Sequence, residues 1–503
     1  MTVLHYLEKT AVEFHDKQSI IDENGSYTFT DLREMALSLA SRIDEKLGGK
    51  RRQPILVYLP KGKECIAAFL AIAYSGNIYS PTDIKFPFPK VQTMIDVLRP
   101  ALYISDGKNA QTLRDNGIPC ENILLFEETS PAEFDAASSI AKMIDTDPVY
   151  VFFTSGSTGV PKGVTITHRN ILDYIDWAAD RFSISEAEII GNHAQLYFDN
   201  SILDIYLCLK KGATLHVIPE RHLMFPIRLL QYVQEHQINF IFWVPTALCQ
   251  AADQRALEEV DLKCLRKVLF CGEVMPTKQL NYWRKHIPDA LYANLYGPTE
   301  ITDACTYFIV DRQFTDDEPL PIGFPCANTD ILLLDETNSL VTTPGQQGEL
   351  CVRGTSLSVG YWDAPEKTAE RFCQNPINTR YHDLIYRTGD LAHYNDRGEL
   401  MFDGRMDHQI KYMGYRIELG EIEAAAQGCE GVSRAACLFD EAGNKIMLFF
   451  TGENTPADIT AYLREKLPRY MHPRAIIQLA EMPWTASGKI DRVYLRTKHI
   501  EAN

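Results

Sequence analysis

A strand that runs directly into a glycine-rich polar loop is the feature that most constrains this sequence. Residues Val149 to Thr154 are rich in β-branched and aromatic side chains, which predicts a buried strand. Three glycines and a proline between 156 and 163 then exclude a regular helix or strand. The loop therefore offers backbone N–H groups, hydroxyls and one ammonium to an anion, and phosphate fits this combination best.

The order of residues around the lysine separates this loop from a Walker A loop. That motif requires Gly-Lys-Ser/Thr, whereas Pro161 precedes Lys162 and Gly163 follows it, so a P-loop kinase is disfavoured. A surface turn of small residues is the alternative interpretation. The loop residues that we expect to contact the phosphates are Thr154, Ser155, Gly156, Ser157, Thr158 and Lys162.

Composition limits the class of protein. The chain has 503 residues, of which 45% are apolar and 23% charged, so we expect a globular protein of two or more domains. A net charge of −17 argues against nucleic acid and anionic membranes as partners. The twelve cysteines form no Cys-x-x-Cys pair, and no run resembles a signal peptide or a membrane span. We therefore expect a cytoplasmic monomer with free thiols and no membrane insertion.

Strand and helix patterns alternate through the first 310 residues and predict wound α/β sheets. Near the start, Tyr27 to Leu32 predicts a strand that ends at Thr30, which would cap the next helix. Beyond Pro319, short strands and turns predict a small β-rich subdomain. The predicted fold is a large N-terminal α/β domain (1–403), a hinge (404–407) and a small mobile α+β C-terminal domain (408–503).

Three predicted buried strands each end in a polar motif rather than in an ordinary turn. The strands are 238–244, 268–271 and 291–296, and the motifs are Pro245-Thr246, Gly272-Glu273-Val274 and Gly297-Pro298-Thr299-Glu300. Ligands of open α/β sheets collect outside the carboxyl ends of the strands. These three ends and the phosphate loop therefore predict one cleft.

Residues 154–163, Thr-Ser-Gly-Ser-Thr-Gly-Val-Pro-Lys-Gly, resemble the phosphate loop of the adenylate-forming superfamily, which includes acyl-CoA synthetases, luciferases and amino-acid adenylation enzymes. Residues 296–300, Tyr-Gly-Pro-Thr-Glu, resemble its second signature. The resemblance implies that ATP binds here, with Tyr296 along the adenine, Thr299 at the α-phosphate and Glu300 on Mg2+. Gly272, Glu273, Val274 and Gly297 would adjoin the nucleotide. A proline-containing turn is the alternative for this stretch taken alone.

Two later motifs extend the resemblance to the rest of the chain. Residues 386–390 with Gly404-Arg405 resemble the third signature, in which Asp390 would accept the ribose hydroxyls and Arg405 would bind ribose or phosphate. Asp407 occupies the hinge position. One orientation of the C-terminal domain would bring Lys489 to the phosphoryl oxygens, where an ammonium stabilises developing charge. The other would turn Gly414 inward to admit a thiol-bearing arm. Solvated turn residues are the alternative for these charged side chains.

We expect the pair Phe198-Asp199 to contact the substrate. In amino-acid adenylation enzymes this aspartate binds the α-ammonium, and a buried carboxylate is costly unless a cation meets it. A helix N-cap is the other interpretation of Asp199. The resemblance places the following residues around the substrate: Asp199, Asn200, Leu203, Phe242, Leu269, Cys271, Leu295, Asp303 and Ala304.

The motif around Cys271 resembles D-alanine:carrier protein ligases, but Asp303 stands where alanine would favour a small apolar residue. The substrate is therefore D-alanine or a small polar or basic amino acid. We expect adenylation of this amino acid with release of pyrophosphate, then transfer to the phosphopantetheine thiol of a separate carrier protein. The alternatives are an acyl- or aryl-CoA ligase and an inactive AMP-binding scaffold.

Overall fold

The computed structural model describes residues 1–156, 160–407, 409–485 and 490–501, and it divides into two compact units. The first comprises Met1–Ile84, Leu98–Phe152 and Gly163–Met406. The second comprises Lys85–Val97, Phe153–Lys162 and Asp407–Asn503. The second unit thus groups two short segments of the N-terminal half with the C-terminal hundred residues. The domain boundaries expected from the sequence stay a prediction.

The α-helices and β-strands alternate through most of the chain. The helices are α1 (Leu4–Glu13), α2 (Phe29–Leu47), α3 (Lys63–Tyr74), α4 (Phe88–Leu98), α5 (Ala110–Asp115), α6 (Ala136–Ala141), α7 (His168–Arg181), α8 (Asn200–Lys211), α9 (Glu220–Leu223), α10 (Pro226–Glu235), α11 (Pro245–Asp253), α12 (Thr277–His286), α13 (Pro365–Arg371), α14 (Leu419–Gln427), α15 (Pro456–Lys466) and α16 (Arg492–Arg496).

The strands are β1 (Gln18–Asp22), β2 (Gly25–Thr28), β3 (Pro54–Tyr58), β4 (Ile78–Pro81), β5 (Leu102–Ser105), β6 (Ile123–Leu125), β7 (Pro148–Thr154), β8 (Lys162–Thr167), β9 (Ile189–Asn192), β10 (Thr214–Val217), β11 (Phe240–Trp243), β12 (Lys267–Phe270), β13 (Leu291–Tyr296), β14 (Thr306–Ile309), β15 (Phe324–Pro325), β16 (Thr329–Leu334), β17 (Gly348–Gly354), β18 (Phe372–Gln374), β19 (Leu384–Tyr394), β20 (Leu400–Arg405), β21 (Gln409–Tyr412), β22 (Tyr415–Glu418), β23 (Val432–Asp440), β24 (Lys445–Gly452) and β25 (Ala475–Gln478).

The sheet that positions most of the candidate site has the strand order β15-β14-β13-β12-β11-β9-β10-β1-β2. The strands from β13 to β1 run parallel, and β14, β15 and β2 pair antiparallel at the two edges. The carboxyl ends of β11, β12 and β13 therefore lie side by side at one edge of the sheet. This confirms that the motifs following these three strands are neighbours.

The two faces of this sheet belong to different hydrophobic cores. Phe242 and Leu269 pack into the larger core, whereas their chain neighbours Trp243 and Phe270 pack into a second one. This separation follows from the two-residue period of a strand, which points successive side chains to opposite faces. Each strand is buried on both sides, as is usual for a parallel sheet.

A parallel sheet and a β-rich sheet complete the larger part of the fold. The parallel sheet has the order β6-β5-β3-β4-β7-β8. The β-rich sheet has the order β16-β17-β19-β18, and β20 pairs with β19. The predicted fold class, wound α/β sheets with a small β-rich subdomain, is therefore confirmed.

Helix α2 begins earlier than the sequence predicts. Thr28, not Thr30, is its N-cap: the Thr28 hydroxyl accepts the N–H of Asp31 at 3.0 Å, and the Asp31 carboxylate accepts the N–H of Thr28 at 2.9 Å. This reciprocal capping box satisfies the backbone N–H groups of Thr28 and Asp31. It requires Thr28 as the N-cap, because Asp31 then occupies the third position of the helix. The prediction of Thr30 as the cap is therefore wrong by two residues.

The C-terminal hundred residues form their own core. The strands β23, β24 and β25 make a sheet that packs against α14 and α15, and β21 pairs with β22 as a hairpin. Ile422, Leu448 and Ile459 are each fully buried in this core. The mixture of strands and helices agrees with the predicted α+β class. Among the described helices, none has the length and hydropathy needed to cross a membrane.

A buried ion pair joins β1 to the start of α3. The Asp22 carboxylate accepts the backbone N–H of Lys63 at 2.9 Å and the Lys63 ammonium at 3.1 Å. The two residues are 9% and 5% exposed. The Lys63 ammonium also lies 2.8 Å from the Glu64 carboxylate. Loss of Asp22 would therefore leave the Lys63 ammonium with one partner and the buried Lys63 N–H without its acceptor.

Replacing Asp22 with alanine therefore lowers the free energy of unfolding by about 1–3 kcal/mol, the cost of leaving a buried donor unsatisfied. Chemical denaturation followed by tryptophan fluorescence measures this loss. The control is Asp16→Ala, because the Asp16 side chain is 91% exposed and its loss should change stability by less than about 0.5 kcal/mol. Equal effects of the two substitutions would contradict the prediction.

Candidate active site

The carboxylate of Asp390 lies between a tyrosine and an arginine. Tyr296, the last residue of β13, donates its hydroxyl to one carboxylate oxygen, and the Arg405 guanidinium donates to the other. Asp390 and Arg405 are direct partners in the β19–β20 ladder. Burial of Tyr296, together with the charge of Asp390, raises the pKa of the Tyr296 hydroxyl well above its usual range. The structure therefore brings these three predicted nucleotide residues together.

Glu300 lies in a single 3-10 turn, Thr299–Ile301, directly after β13. Its carboxylate is fully buried, and one oxygen accepts the hydroxyl of Tyr361 at 2.8 Å. Thr299 is half-buried beside it. Among the described residues, no group of three or more His, Cys, Asp and Glu side chains is arranged to hold a metal. Binding of Mg2+ at Glu300 stays a prediction.

The motif after β12 is partly structural. The Glu273 carboxylate accepts the N–H of Thr246 at 2.9 Å and so caps the start of α11. Gly272 has a φ of +102°, a backbone conformation that favours glycine, and the Val274 side chain is 66% exposed. The two motifs that follow β11 and β12 therefore hold each other in place.

The described part of the phosphate loop belongs to the second unit. The Ser155 hydroxyl donates to the Arg416 carbonyl at 2.8 Å and accepts the N–H of Glu418 at 3.2 Å. The Lys162 ammonium lies 4.0 Å from the Glu418 carboxylate. Gly156 is required sterically, because a Cβ there would lie 2.0 Å from the Val160 carbonyl oxygen. Two more predicted contacts, Ser157 and Thr158, lie outside the described residues, as does Lys489.

Thr154 ends the strand that leads into this loop. Its hydroxyl oxygen is buried, and no hydrogen-bond partner for it occurs in the described parts of the chain. An unpaired buried hydroxyl is costly, so such a group is a candidate for ligand binding.

The predicted substrate residues on β11, β12 and β13 share one face of the sheet. Phe242 and Leu269 are partners in the β11–β12 ladder, and Leu269 pairs with Ala293 in the β12–β13 ladder. Cys271 lies two residues after Leu269, just beyond the end of β12. Leu295 lies two residues after Ala293 on β13. We call this set the substrate face; its members are Leu203, Phe242, Leu269, Cys271, Leu295, Asp303 and Ala304. Each is at most 2% exposed, and the apolar members belong to the larger core.

Asp199 and Asn200 stand at the start of α8, which also carries Leu203. The Asp199 carboxylate accepts the N–H of Asn200 at 3.1 Å, so the helix N-cap interpretation holds in part. Asp199 itself has helical backbone angles, φ −59° and ψ −33°, unlike a usual N-cap residue. The side-chain nitrogen of Asn200 is buried and lacks a partner in the described ranges. Both residues therefore present polar groups at one end of the helix.

Asp407, the last residue of the predicted hinge, and Gly414, the predicted thiol passage, lie in the second unit. Asp407 accepts the N–H of Gln409 at 3.1 Å. Gly414 forms the turn between β21 and β22 with a φ of +80°, and Met413 before it also has a positive φ. Hinge motion at Asp407 and passage of a thiol at Gly414 stay predictions.

Two tyrosines at the site were not identified from the sequence. Tyr174, on α7, donates its hydroxyl to Asp303 at 2.7 Å, and Tyr361 contacts Glu300. Both occupy positions where an aromatic residue is typical of a core. Their hydroxyls point to the site only once the chain is folded, so the linear pattern carried no indication of them.

Gly297 allows the segment after the turn to fold back on β13. A Cβ at this position would lie 2.4 Å from the Asp303 carbonyl oxygen and 2.7 Å from the Ala304 Cα. Gly297→Ala should therefore displace residues 302–304 and increase hydrogen exchange at their amides, measured by mass spectrometry. Gly107→Ala is the control, because a Cβ at Gly107 meets nothing within 4 Å. Unchanged exchange in the Gly297 variant would refute the steric role.

The chain is similar to known proteins over almost its whole length. The AMP-binding enzyme family profile matches residues 7–362, and the AMP-binding enzyme C-terminal domain profile matches residues 421–489. The chain is 32% identical to tyrocidine synthase 1 of Brevibacillus parabrevis over 99% of its own length and 45% of that protein. It is 30% identical to an L-proline–[L-prolyl-carrier protein] ligase of Streptomyces coelicolor over 92% of its own length and 90% of that protein.

Among solved structures, holo-PA1221, a nonribosomal peptide synthetase protein with adenylation and carrier domains, superposes with a TM-score of 0.85 at 26% identity. The match covers 99% of this chain and 84% of that one. The chain spans less than half of the tyrocidine synthases that it matches. A family profile that covers more than half of the chain, together with the proline ligase match over nearly its whole length, shows that the protein belongs to the AMP-binding enzyme family.

Proposed function

We propose that this protein activates an amino acid as its aminoacyl-adenylate, with ATP as the second substrate, and then passes the aminoacyl group to the phosphopantetheine thiol of a carrier protein. The observation that carries the proposal is the continuity of β13: Leu295 belongs to the substrate face, and the next residue, Tyr296, hydrogen-bonds Asp390. The end of β13 therefore carries both a residue that we assign to the amino-acid substrate and a residue that we assign to ATP. The matched L-proline–[L-prolyl-carrier protein] ligase supports the transfer of the aminoacyl group to a carrier protein.

Asp390 is suited to the ribose of ATP. Tyr296 and Arg405 fix its two oxygens, and a carboxylate fixed in this way can still accept hydroxyl donors through its remaining lone pairs. Arg405 adds a positive charge near the same point. We assign the adenine to the side of the Tyr296 ring, because an aromatic face suits a base.

The first half-reaction forms one bond and breaks one. A carboxylate oxygen of the amino acid attacks the α-phosphorus of ATP, and the bond from that phosphorus to the pyrophosphate oxygen breaks. Negative charge grows on the phosphoryl oxygens, and the ammonium of Lys489 is the group that we assign to stabilise it. Lys162, Thr299 and the hydroxyls of the phosphate loop would orient the phosphates.

Glu300 is the residue that we assign to Mg2+. Its fully buried carboxylate keeps a defined orientation through the Tyr361 hydroxyl, and carboxylate oxygen is a ligand type that Mg2+ prefers. When bound, the ion would neutralise phosphate charge.

Asp199 is the residue that we assign to the α-ammonium of the substrate.

In the second half-reaction the carrier thiolate attacks the carbonyl carbon of the aminoacyl-adenylate and forms a thioester. The bond from that carbon to the phosphoryl oxygen breaks, and AMP leaves with this oxygen. The cysteines of this chain need not take part, and all twelve are free thiols, which fits the reducing cytoplasm that we propose as the location. A monomeric state stays a prediction.

Amino-acid-dependent exchange of pyrophosphate into ATP tests the proposal. We expect exchange with at least one amino acid and none with propionate or benzoate, because these acids lack the ammonium that Asp199 would bind. Exchange with only the acids that lack an ammonium would indicate an acyl- or aryl-CoA ligase. Absence of exchange with every acid would indicate an inactive scaffold.

Asp390→Asn should raise the KM for ATP roughly 10- to 150-fold, because a hydrogen bond to a charged group is worth about 1.5–3 kcal/mol. The KM for the amino acid should change much less. Asp396→Asn is the matched control, since Asp396 is exposed in the turn between β19 and β20. Equal effects on both KM values would contradict the assignment of Asp390 to the nucleotide.

A further inference from the structure

The segment between β9 and α8 is closed by a contact between buried side chains. The Asn192 side-chain nitrogen donates to the Asp204 carboxylate at 2.9 Å. Asn192 is the last residue of β9, Asp204 lies in the second turn of α8, and both are fully buried. We call residues 193–203 the substrate loop, because it includes three residues that we assign to the amino acid: Asp199, Asn200 and Leu203.

A lysine from another sheet holds the start of the substrate loop. Lys61 follows β3, and its side-chain nitrogen donates to the Asn192 carbonyl at 3.3 Å and to the His193 carbonyl at 3.0 Å. Strand β3 belongs to the parallel sheet, whereas β9 belongs to the largest sheet. Lys61 and Asp204 therefore hold Asn192 from two different parts of the fold.

The polar groups around Asn192 are only partly satisfied. The second oxygen of Asp204 and the side-chain oxygen of Asn192 are buried, and neither has a hydrogen-bond partner in the ranges that the structure describes. Burial raises the pKa of Asp204 to about 8 and lowers the pKa of Lys61 to about 7, although the charge of each residue opposes the shift of the other. Such groups stabilise a core less than apolar side chains would, so their presence here indicates a geometric role.

The contact at Asp204 also determines where the far end of the substrate loop lies. Asp204 follows Asn200 by one helical turn, so a shift of α8 at Asp204 displaces the start of the helix as well. The Ser201 hydroxyl donates to the Phe198 carbonyl at 2.6 Å, and the Ile202 N–H donates to the Asp199 carbonyl at 2.8 Å. Residues 198 and 199 therefore move together with the first turn of α8.

We propose that Asp204 and Lys61 are positioning residues for the amino-acid substrate: by holding Asn192 they close the substrate loop and fix the direction in which Asp199 and Asn200 meet the amino acid. This inference rests on the proposed function. Each of the two residues acts through Asn192 and the loop. The residues that we assign to the nucleotide, Tyr296, Asp390 and Arg405, lie outside the loop on β13, β19 and β20.

Two substitutions of Asp204 test its role. Asp204→Leu removes the acceptor of the Asn192 amide and should raise the KM for the amino acid at least about fivefold, while the KM for ATP changes less than about twofold. Asp204→Asn keeps an acceptor oxygen and should leave both KM values within about twofold of the wild type. Pyrophosphate exchange measures both constants, with the amino acid that the wild type uses best among the proteinogenic amino acids and D-alanine.

Lys61→Met removes the donor to the two carbonyls and keeps an unbranched side chain. It should likewise raise the KM for the amino acid at least about fivefold with little effect on the KM for ATP. Lys108→Met is the matched control, because Lys108 is exposed and follows β5, the strand beside β3, and its KM values should equal those of the wild type. Should Asp204→Leu fail to fold, Lys61→Met decides.

Hydrogen exchange measured by mass spectrometry tests the closure of the loop without any substrate. The amides of residues 193–199 should exchange faster in Asp204→Leu and in Lys61→Met than in the wild type. Asp204→Asn and Lys108→Met should show the exchange of the wild type.

The outcomes separate this inference from the proposed function. An unchanged KM for the amino acid in folded Asp204→Leu and Lys61→Met proteins overturns the inference and leaves the proposed function intact. Equal increases of both KM values, or a lower kcat with both KM values unchanged, indicate a general structural role and also overturn it. A wild type without exchange for every amino acid overturns the proposed function and this inference together, whereas unchanged hydrogen exchange in both variants overturns the loop closure alone.

Discussion

The hydrogen-bonded set Tyr296–Asp390–Arg405 joins two sheets that are distant in sequence. Tyr296 ends a strand of the largest sheet, whereas Asp390 and Arg405 pair across β19 and β20 of the β-rich sheet. A carboxylate that is 3% exposed is stable there only because a hydroxyl and a guanidinium accompany it. The geometry of the residues that we assign to the nucleotide therefore depends on the same contacts that join the two sheets.

Much of the fold and of the site followed from the sequence because it depends on local order. The apolar runs before residues 245, 272 and 297 predicted parallel strands, and parallel strands place their carboxyl ends at one edge. Phe242, Leu269 and Leu295 were predicted from the family resemblance, and in the structure the alternation within each strand puts them on one face. These features require only that a strand has a period of two and that neighbouring strands run in the same direction.

The remaining features depend on contacts between distant residues. Thr28 and Thr30 are both good N-caps, and only the reciprocal bond with Asp31 selects Thr28. Tyr174 and Tyr361 have the pattern of core residues, and their hydroxyls meet Asp303 and Glu300 across more than sixty residues of chain. The positive φ values at Thr302 and Asp303 were equally inaccessible, since neither residue type predicts that conformation.

The division of the largest sheet between two cores has a consequence for how the substrate specificity of such an enzyme can change. The side chains that face the larger core include those of the substrate face, whereas Trp243 and Phe270 on the opposite face pack into the second core. Exchange of a side chain on the first face alters the shape and charge presented to a ligand, while the packing that anchors the strand from behind is unchanged. Selectivity can thus diversify along a lineage without each step having to be accompanied by compensating changes in the scaffold.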